Sequence, residues 1–162
     1  MNERALYPPV IRWLRGELQD RFPRADVEAY DTHSASLAAW LDAQGLSGAF
    51  PEHTAWDIKV DITGLIKSRR GVDLVFVECK TSPLTLGHVG QILGYCLVAR
   101  PRYALLLSTA PPNRRLMRLL KVFGREDVLQ YGKNRAIKLV TWDTARGQPY
   151  AESLIPPTGA IF

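Results

Sequence analysis

Val72-Asp73-Leu74-Val75-Phe76-Val77-Glu78-Cys79-Lys80 is the most apolar strand-like run in the chain, and it ends on two charges. A short run this rich in β-branched and aromatic residues reads as a buried strand. In an extended strand residues i and i+2 share a face, so Glu78 and Lys80 stand side by side while Val77 and Cys79 face the opposite layer. An isolated ion pair contributes little when exposed and can cost stability when buried. Two charges closing a buried strand therefore ask for a functional reason.

The elements on either side set the fold class. Upstream, Trp56, Ile58, Val60 and Ile62 alternate with Asp57, Lys59, Asp61 and Thr63, which predicts a strand. The turn Lys67-Ser68-Arg69-Arg70-Gly71 joins it to the Glu78/Lys80 strand as a β-hairpin. Earlier still, Leu6, Val10, Ile11, Leu14 and Leu18 recur at helical spacing. Pro8 and Pro9 are tolerated only near a first turn, so the predicted helix covers Pro9–Arg21. Ala25–Tyr30 alternates like a strand, and Ser34–Gln44 reads as a short inserted helix closed by Gly45. Downstream, Ser82, Pro83 and Gly87 lead into a helix over His88–Val98, followed by a buried strand at Tyr103–Leu107. Asn113–Phe123 reads as a basic amphipathic helix, and Ala136–Trp142 as a strand that pairs with Val128–Tyr131 across Gly132-Lys133-Asn134. The tail, Ile155-Pro156-Pro157-Thr158-Gly159, reads as irregular. The order is α-β-(α)-β-β-α-β followed by a helix-strand extension, an α/β fold with a mixed central sheet.

At 162 residues, 46% hydrophobic and 23% charged, the chain reads as one domain with a proper core and no dividing linker. A formal net charge of +5 favours polyanionic partners without deciding among them. No apolar run approaches about 18 residues, and Met-Asn-Glu-Arg-Ala lacks the apolar core of a signal peptide, which predicts a cytoplasmic protein with no membrane partner. Cys79 and Cys96 lie in apolar surroundings and read as reduced core thiols. Two cysteines and three scattered histidines do not make a zinc site. His53 and His88 fall in loop or helix-start positions and receive no role. Neither Gly-x-Ser-x-Gly nor Gly-x-Gly-x-x-Gly occurs, which sets aside an α/β hydrolase or dinucleotide-binding domain.

The chemistry gathers around the hairpin. Asp61 precedes Glu78 by 17 residues, enough for the chain to run out, turn and return antiparallel, bringing the two carboxylates together. Two such carboxylates with water make a hard-oxygen site suited to Mg²⁺, and Lys80 adds a cation that steadies an attacking water or developing negative charge. Asp57 and Asp73 are the competing carboxylates. Asp57 lies earlier on Asp61's face of the strand, and Asp73 points to the face opposite Glu78, so Asp61 takes precedence.

Asp61…Glu78-Cys79-Lys80 resembles the Asp…Glu-x-Lys pattern of the PD-(D/E)xK nuclease superfamily, with Val60 where that family usually has proline. The resemblance covers about residues 5–110, including element order, and leaves the extension over about 111–162 unexplained. It implies a restriction-endonuclease-like core and a Mg²⁺-dependent deoxyribonuclease, with Mn²⁺ as a substitute ion and a 5′-phosphate product. Asp61, Glu78 and the backbone carbonyl of Cys79 are then the expected metal ligands, and Lys80 the residue that activates water. Gln91-Ile92-Leu93-Gly94-Tyr95 resembles the Gln-x-x-x-Tyr element of the recombination-exonuclease branch. Gln91 is expected to meet the lysine, a metal-bound water or a DNA phosphate, with Tyr95 one turn on along the same helical face. The family often adds a glutamate from its first helix. Glu3 falls near the centre of the Leu6/Val10/Leu14 stripe and is the candidate, whereas Glu17 falls at its edge.

DNA is the partner so implied, bound by a homodimer or within a larger nuclease complex. Lys67, Arg69 and Arg70 at the hairpin tip, with Arg114, Arg115, Arg118 and Lys121 on the later helix, are the phosphate-binding candidates expected to bracket the metal site. The competing reading is a nucleic-acid-binding or dimerisation module that keeps the nuclease fold without its catalysis.

Overall fold

The computed structural model describes residues 2–157 and 160–162 as a seven-stranded mixed sheet with helices on both faces. A 3₁₀ turn at Glu3–Leu6, capped by the Asn2 side chain, runs directly into α1, Tyr7–Arg21. Pro8 and Pro9 occupy the first turn of α1, where their missing N–H groups leave no hydrogen bond unmade. The helix thus starts two residues before Pro9, and Tyr7 joins the buried stripe of Val10, Leu14 and Leu18. This stripe meets Ile62, Ile66, Val75, Val77, Cys79, Leu105 and Leu107 on one face of the sheet. Leu14 is wholly buried there, and its truncation to alanine carries a cost of about 2–5 kcal/mol.

β1 (Asp26–Asp31), β2 (Ile62–Ser68) and β3 (Gly71–Lys80) form an antiparallel meander. The chain between β1 and β2 carries α2, Leu37–Ala43, capped by Ser36. After β3, α3 (Leu86–Ala99) crosses over to β4 (Tyr103–Ser108), which lies parallel to β3. A reciprocal pair starts α3: the Thr85 side chain accepts from the His88 N–H, and the His88 ring accepts from the Thr85 N–H. The opposite core places Leu65, Leu74 and Phe76 against Leu41 of α2 and against Ile92 and Cys96 of α3. Both cysteines are buried and free, on opposite sides of the sheet.

Three expected elements change in the structure. Residues 56–60 alternate in burial as a strand would, yet they pair with no strand; β2 begins only at Ile62. The chain leaves β1 at Thr32 for the α2 insertion, and this segment packs on the insertion instead. Leu37 N–H donates to Ile58 O at 2.7 Å, and the Thr32 hydroxyl donates to Val60 O at 2.7 Å. The basic helix expected over Asn113–Phe123 is α4, Arg114–Met117, continuing as a wider π-helical turn at Arg118–Val122 that buries Leu120 as well as Leu116. Of the strand expected at Val128–Tyr131, Glu126–Leu129 is a 3₁₀ turn, and β5 covers Gln130–Gly132.

β5 pairs with β6 (Arg135–Asp143), and β6 lies parallel to β4, giving the order β1-β2-β3-β4-β6-β5. A short β7, Gln148–Pro149, which the sequence reading did not expect, pairs with β6; in the expected irregular tail Ile155 forms a bridge to Leu139, and Thr158 and Gly159 lie outside the described residues. Among the described residues no helix is long and apolar enough to cross a membrane.

Candidate active site

The β2–β3 ladder ends at the pair Ile62–Val77, and from there the side chains of Asp61 and Glu78 take over the backbone hydrogen bonds. The Asp61 N–H donates to Glu78 Oε2 at 3.0 Å, and the Cys79 N–H donates to Asp61 Oδ2 at 2.9 Å. Each carboxylate therefore caps the strand that carries the other. Two further donors complete the set: the Tyr7 hydroxyl on Asp61 Oδ1 at 2.7 Å, and Gln91 Nε2 on Glu78 Oε1 at 2.9 Å. Of the three competing aspartates, Asp61 is the one that meets Glu78. Asp57 is exposed, and Asp73 lies at the start of β3, bound to Arg102 at 2.9 Å.

Alternation along β3 turns Leu74, Phe76 and Glu78 towards the α3 side, while Val75, Val77 and Cys79 face α1. Glu78 is only 2% exposed. Burial, and after it the negative charge of Asp61, push its carboxyl up to about 8, opposed by the Asp61 N–H and by Lys80. Two carboxyl groups share this pocket with one ammonium, too little positive charge for both to ionise easily. Burial likewise holds the Cys79 thiol well above its ordinary value. The Tyr7 hydroxyl is raised by burial and then by its bond to Asp61. His88 is lowered by burial and by Lys80, and it stays a helix-start residue as its position suggested.

Lys80 is largely covered, with its Nζ 3.8 Å from Glu3 Oε2. Glu3 therefore reaches the site, but through the lysine. Gln91 meets Glu78 rather than Lys80, and its Nε2 lies 3.4 Å from the Tyr95 hydroxyl one turn along α3. Among the described residues no three His, Cys, Asp or Glu side chains converge as a metal cluster. The donors available to a cation are two carboxylates and a main-chain carbonyl. In a strand the N–H and C=O of one residue point to the same side. The Cys79 carbonyl thus lies on the side where its N–H meets Asp61, past the end of the β2–β3 ladder. Such a short list of hard oxygen donors fits Mg²⁺, which keeps several waters.

Tyr7 is the site residue that sequence reading did not name. Its place in the apolar stripe of α1 marks it as core, and the ring is indeed buried; only its position at the stripe's active-site end signals the hydroxyl's role.

The basic candidates divide. Arg114 and Arg115 open α4 just beyond the C-terminal end of β4, where Asn113 N–H donates to Leu84 O at 2.9 Å, and so lie at the carboxylate end of the sheet. Arg118 follows on the π-helical turn, its guanidinium 5.5 Å from the Phe123 ring centre. Lys67, Arg69 and Arg70 do not bracket the site. Lys67 lies within β2 and is tied to Glu28 at 2.7 Å, and Arg69–Arg70 form the turn at the opposite end of the hairpin. A turn at one end of two seven-residue ladder partners cannot also adjoin the residues at the other end. His53 bonds through Nε2 to Asp42 at 2.6 Å within the α2 insertion. Comparison with protein-family models, curated proteins and solved structures finds no match to this chain.

Proposed function

We propose that the protein is a metal-dependent nuclease with a restriction-endonuclease-like core, hydrolysing DNA phosphodiester bonds in repair, recombination or restriction. The observation that carries this reading is the reciprocal Asp61–Glu78 pair, with the Cys79 carbonyl on the same side and Lys80 on the same strand. The antiparallel β1-β2-β3 meander, the α3 crossover and the parallel β4 support the fold assignment.

Asp61, Glu78 and the Cys79 carbonyl would hold Mg²⁺, or Mn²⁺ in its place. When bound, the ion supplies an acidified water and neutralises charge on the phosphate. Tyr7 and Gln91 fix the two carboxylates, so the donors are set before substrate arrives. Lys80 orients the attacking water and offsets negative charge as the phosphorus becomes five-coordinate. Glu3 keeps the lysine ammonium at the site through its carboxylate.

Purified protein assayed on linear, circular and branched DNA with Mg²⁺ or Mn²⁺ tests the reading: cleavage is expected, and Glu78→Ala and Lys80→Ala should each abolish it. Cleavage that survives both substitutions would sink the assignment. One observation favours the second reading, a binding module without catalysis: all four oxygens of Asp61 and Glu78 already accept bonds from their own chain. Calorimetric titration separates the two. The nuclease takes up Mn²⁺ at Asp61 and Glu78, whereas the binding module binds DNA in chelator and takes up no ion.

A further inference from the structure

The arginine turn removed from the carboxylates lines a cleft of its own. Arg69 and Arg70 meet Arg21 at the end of α1, Arg24 and Phe22 in the loop that follows, and Arg102 just before β4, around a volume of about 720 Å³. Five of the ten lining residues are arginine and none is acidic. Arg102 is held by Asp73 at 2.9 Å and lies over the Phe22 ring, 4.7 Å from its centre. Among the described residues Arg21, Arg24, Arg69 and Arg70 form no ion pair.

Folding does not require this cluster. A two-residue hairpin turn favours Asn and Gly. Here Gly71, at φ 129°, takes the left-handed position, and the Arg70 N–H donates to Ser68 Oγ at 3.2 Å, so the turn makes no use of the Arg69 and Arg70 side chains. Gathering like charges around one cleft destabilises the free protein by repulsion, and a bound polyanion reverses the sign of that interaction. Guanidinium forks match phosphate oxygens in pairs, and Arg102 is already fixed in place by Asp73 and Phe22.

The cleft and the carboxylates are joined by two rulers. Along β3, Gly71 to Glu78 spans about 23 Å at the strand rise. Along α1, Tyr7 to Arg21 spans about 21 Å at the helical rise. We infer that the arginine cleft is a second binding site, which grips the phosphate backbone of a nucleic acid about six or seven nucleotide steps from the carboxylates. The choice of nucleic acid among phosphate-bearing ligands rests on the proposed nuclease activity.

The test is equilibrium binding of the full chain to a labelled duplex of about 30 base pairs in EDTA, where no cleavage occurs. Arg69→Ala/Arg70→Ala is expected to bind about tenfold more weakly at about 0.1 M salt, with a salt slope shallower by about two. Arg125→Ala/Arg146→Ala removes the same charge from side chains paired with Asp127 and Asp143 and should stay within about twofold of wild type. Unchanged affinity and slope in the first variant, or equal losses in both, would overturn the inference. So would phosphatidylglycerol vesicles that bind with the same arginine dependence while the duplex does not. Binding in EDTA is read independently of cleavage, so loss of the nuclease assignment leaves this result standing, and the reverse holds equally.

Discussion

The two ends of the β2–β3 pair handle charge in opposite ways. At the Asp61/Glu78 end the charges are buried or half-buried and every carboxylate oxygen has a donor, to the point that side chains replace the last rungs of the ladder. At the Arg69/Arg70 end five exposed arginines line one cleft, and of these only Arg102 has a carboxylate partner among the described residues, Asp73. The first end fixes its geometry before anything binds, as a site that must place atoms does. The second supplies attraction with little geometry, as a contact that only needs to hold a backbone does. α1 links them, with Tyr7 on Asp61 at its start and Arg21 in the cleft at its end.

Glu78→Gln breaks the comparison at its strongest point. Glutamine keeps the shape and can still accept from the Asp61 N–H, but it removes the buried charge. Because burial and Asp61 raise the carboxyl to about 8, the folded state holds a proton that the unfolded chain has already released between the ordinary glutamate range and that value. In chelator, wild-type stability should therefore fall as pH rises through this window and level off above it. Glu78→Gln should flatten that fall and unfold at a higher temperature than wild type above pH 8, while cleavage drops by about 10³-fold. A variant that is less stable there and fully active would make Glu78 a structural tie only.

Gly64→Ala tests the link between the ends. A Cβ at this position of β2 would stand 3.0 Å from the Val75 Cβ and 3.4 and 3.5 Å from Leu18 and Leu14 side-chain atoms. Val75 Cβ sits on the neighbouring strand and cannot swing away, so the β2–β3 ladder must yield by a few tenths of an ångström beneath the Leu14 and Leu18 side chains of α1. The expected loss is about 1–3 kcal/mol in urea unfolding. An unchanged midpoint would mean that the middle of the β2–β3 ladder yields without cost.

What was legible in the sequence follows the same division. The charges of Glu78 and Lys80 stood out because strand alternation puts them where apolar residues belong, and Asp61 followed from the antiparallel return. The segment 56–60 misled because burial alternation needs only one packed face, whereas a strand also needs a partner, and the partner had left for α2. Tyr7 stayed hidden because its ring obeys the core pattern, and its hydroxyl gains meaning only when Asp61 comes within 2.7 Å from 54 residues away. The charge of Lys67, Arg69 and Arg70 suits a phosphate site but carries no position, and the seven-pair ladder takes them to the end of the hairpin away from Glu78.

Tyr7→Phe sharpens the carboxylate end with one atom. It removes the donor to Asp61 Oδ1 and leaves the buried ring in place. Stability should fall by about 1 kcal/mol, the usual worth of one such bond. Cleavage and Mn²⁺ affinity should fall together by about tenfold, as expected when the group that orients a metal ligand is lost. A drop in stability with Mn²⁺ affinity unchanged would detach Tyr7 from the site.

Arg69→Ala/Arg70→Ala gives the smallest effect on stability, and its sign is the informative part. No ion pair or side-chain hydrogen bond within the described residues is lost with these two guanidiniums, so stability should stay within about 0.5 kcal/mol of wild type. Removing two like charges from the cleft relieves repulsion, which should show as a slightly higher unfolding midpoint at low salt. The gain should fade as salt is raised and the screening length falls to about 3 Å near 1 M. A variant that is less stable at low salt would mean that the arginines support the hairpin itself, and the contrast between a prebuilt end and a waiting end would fail there.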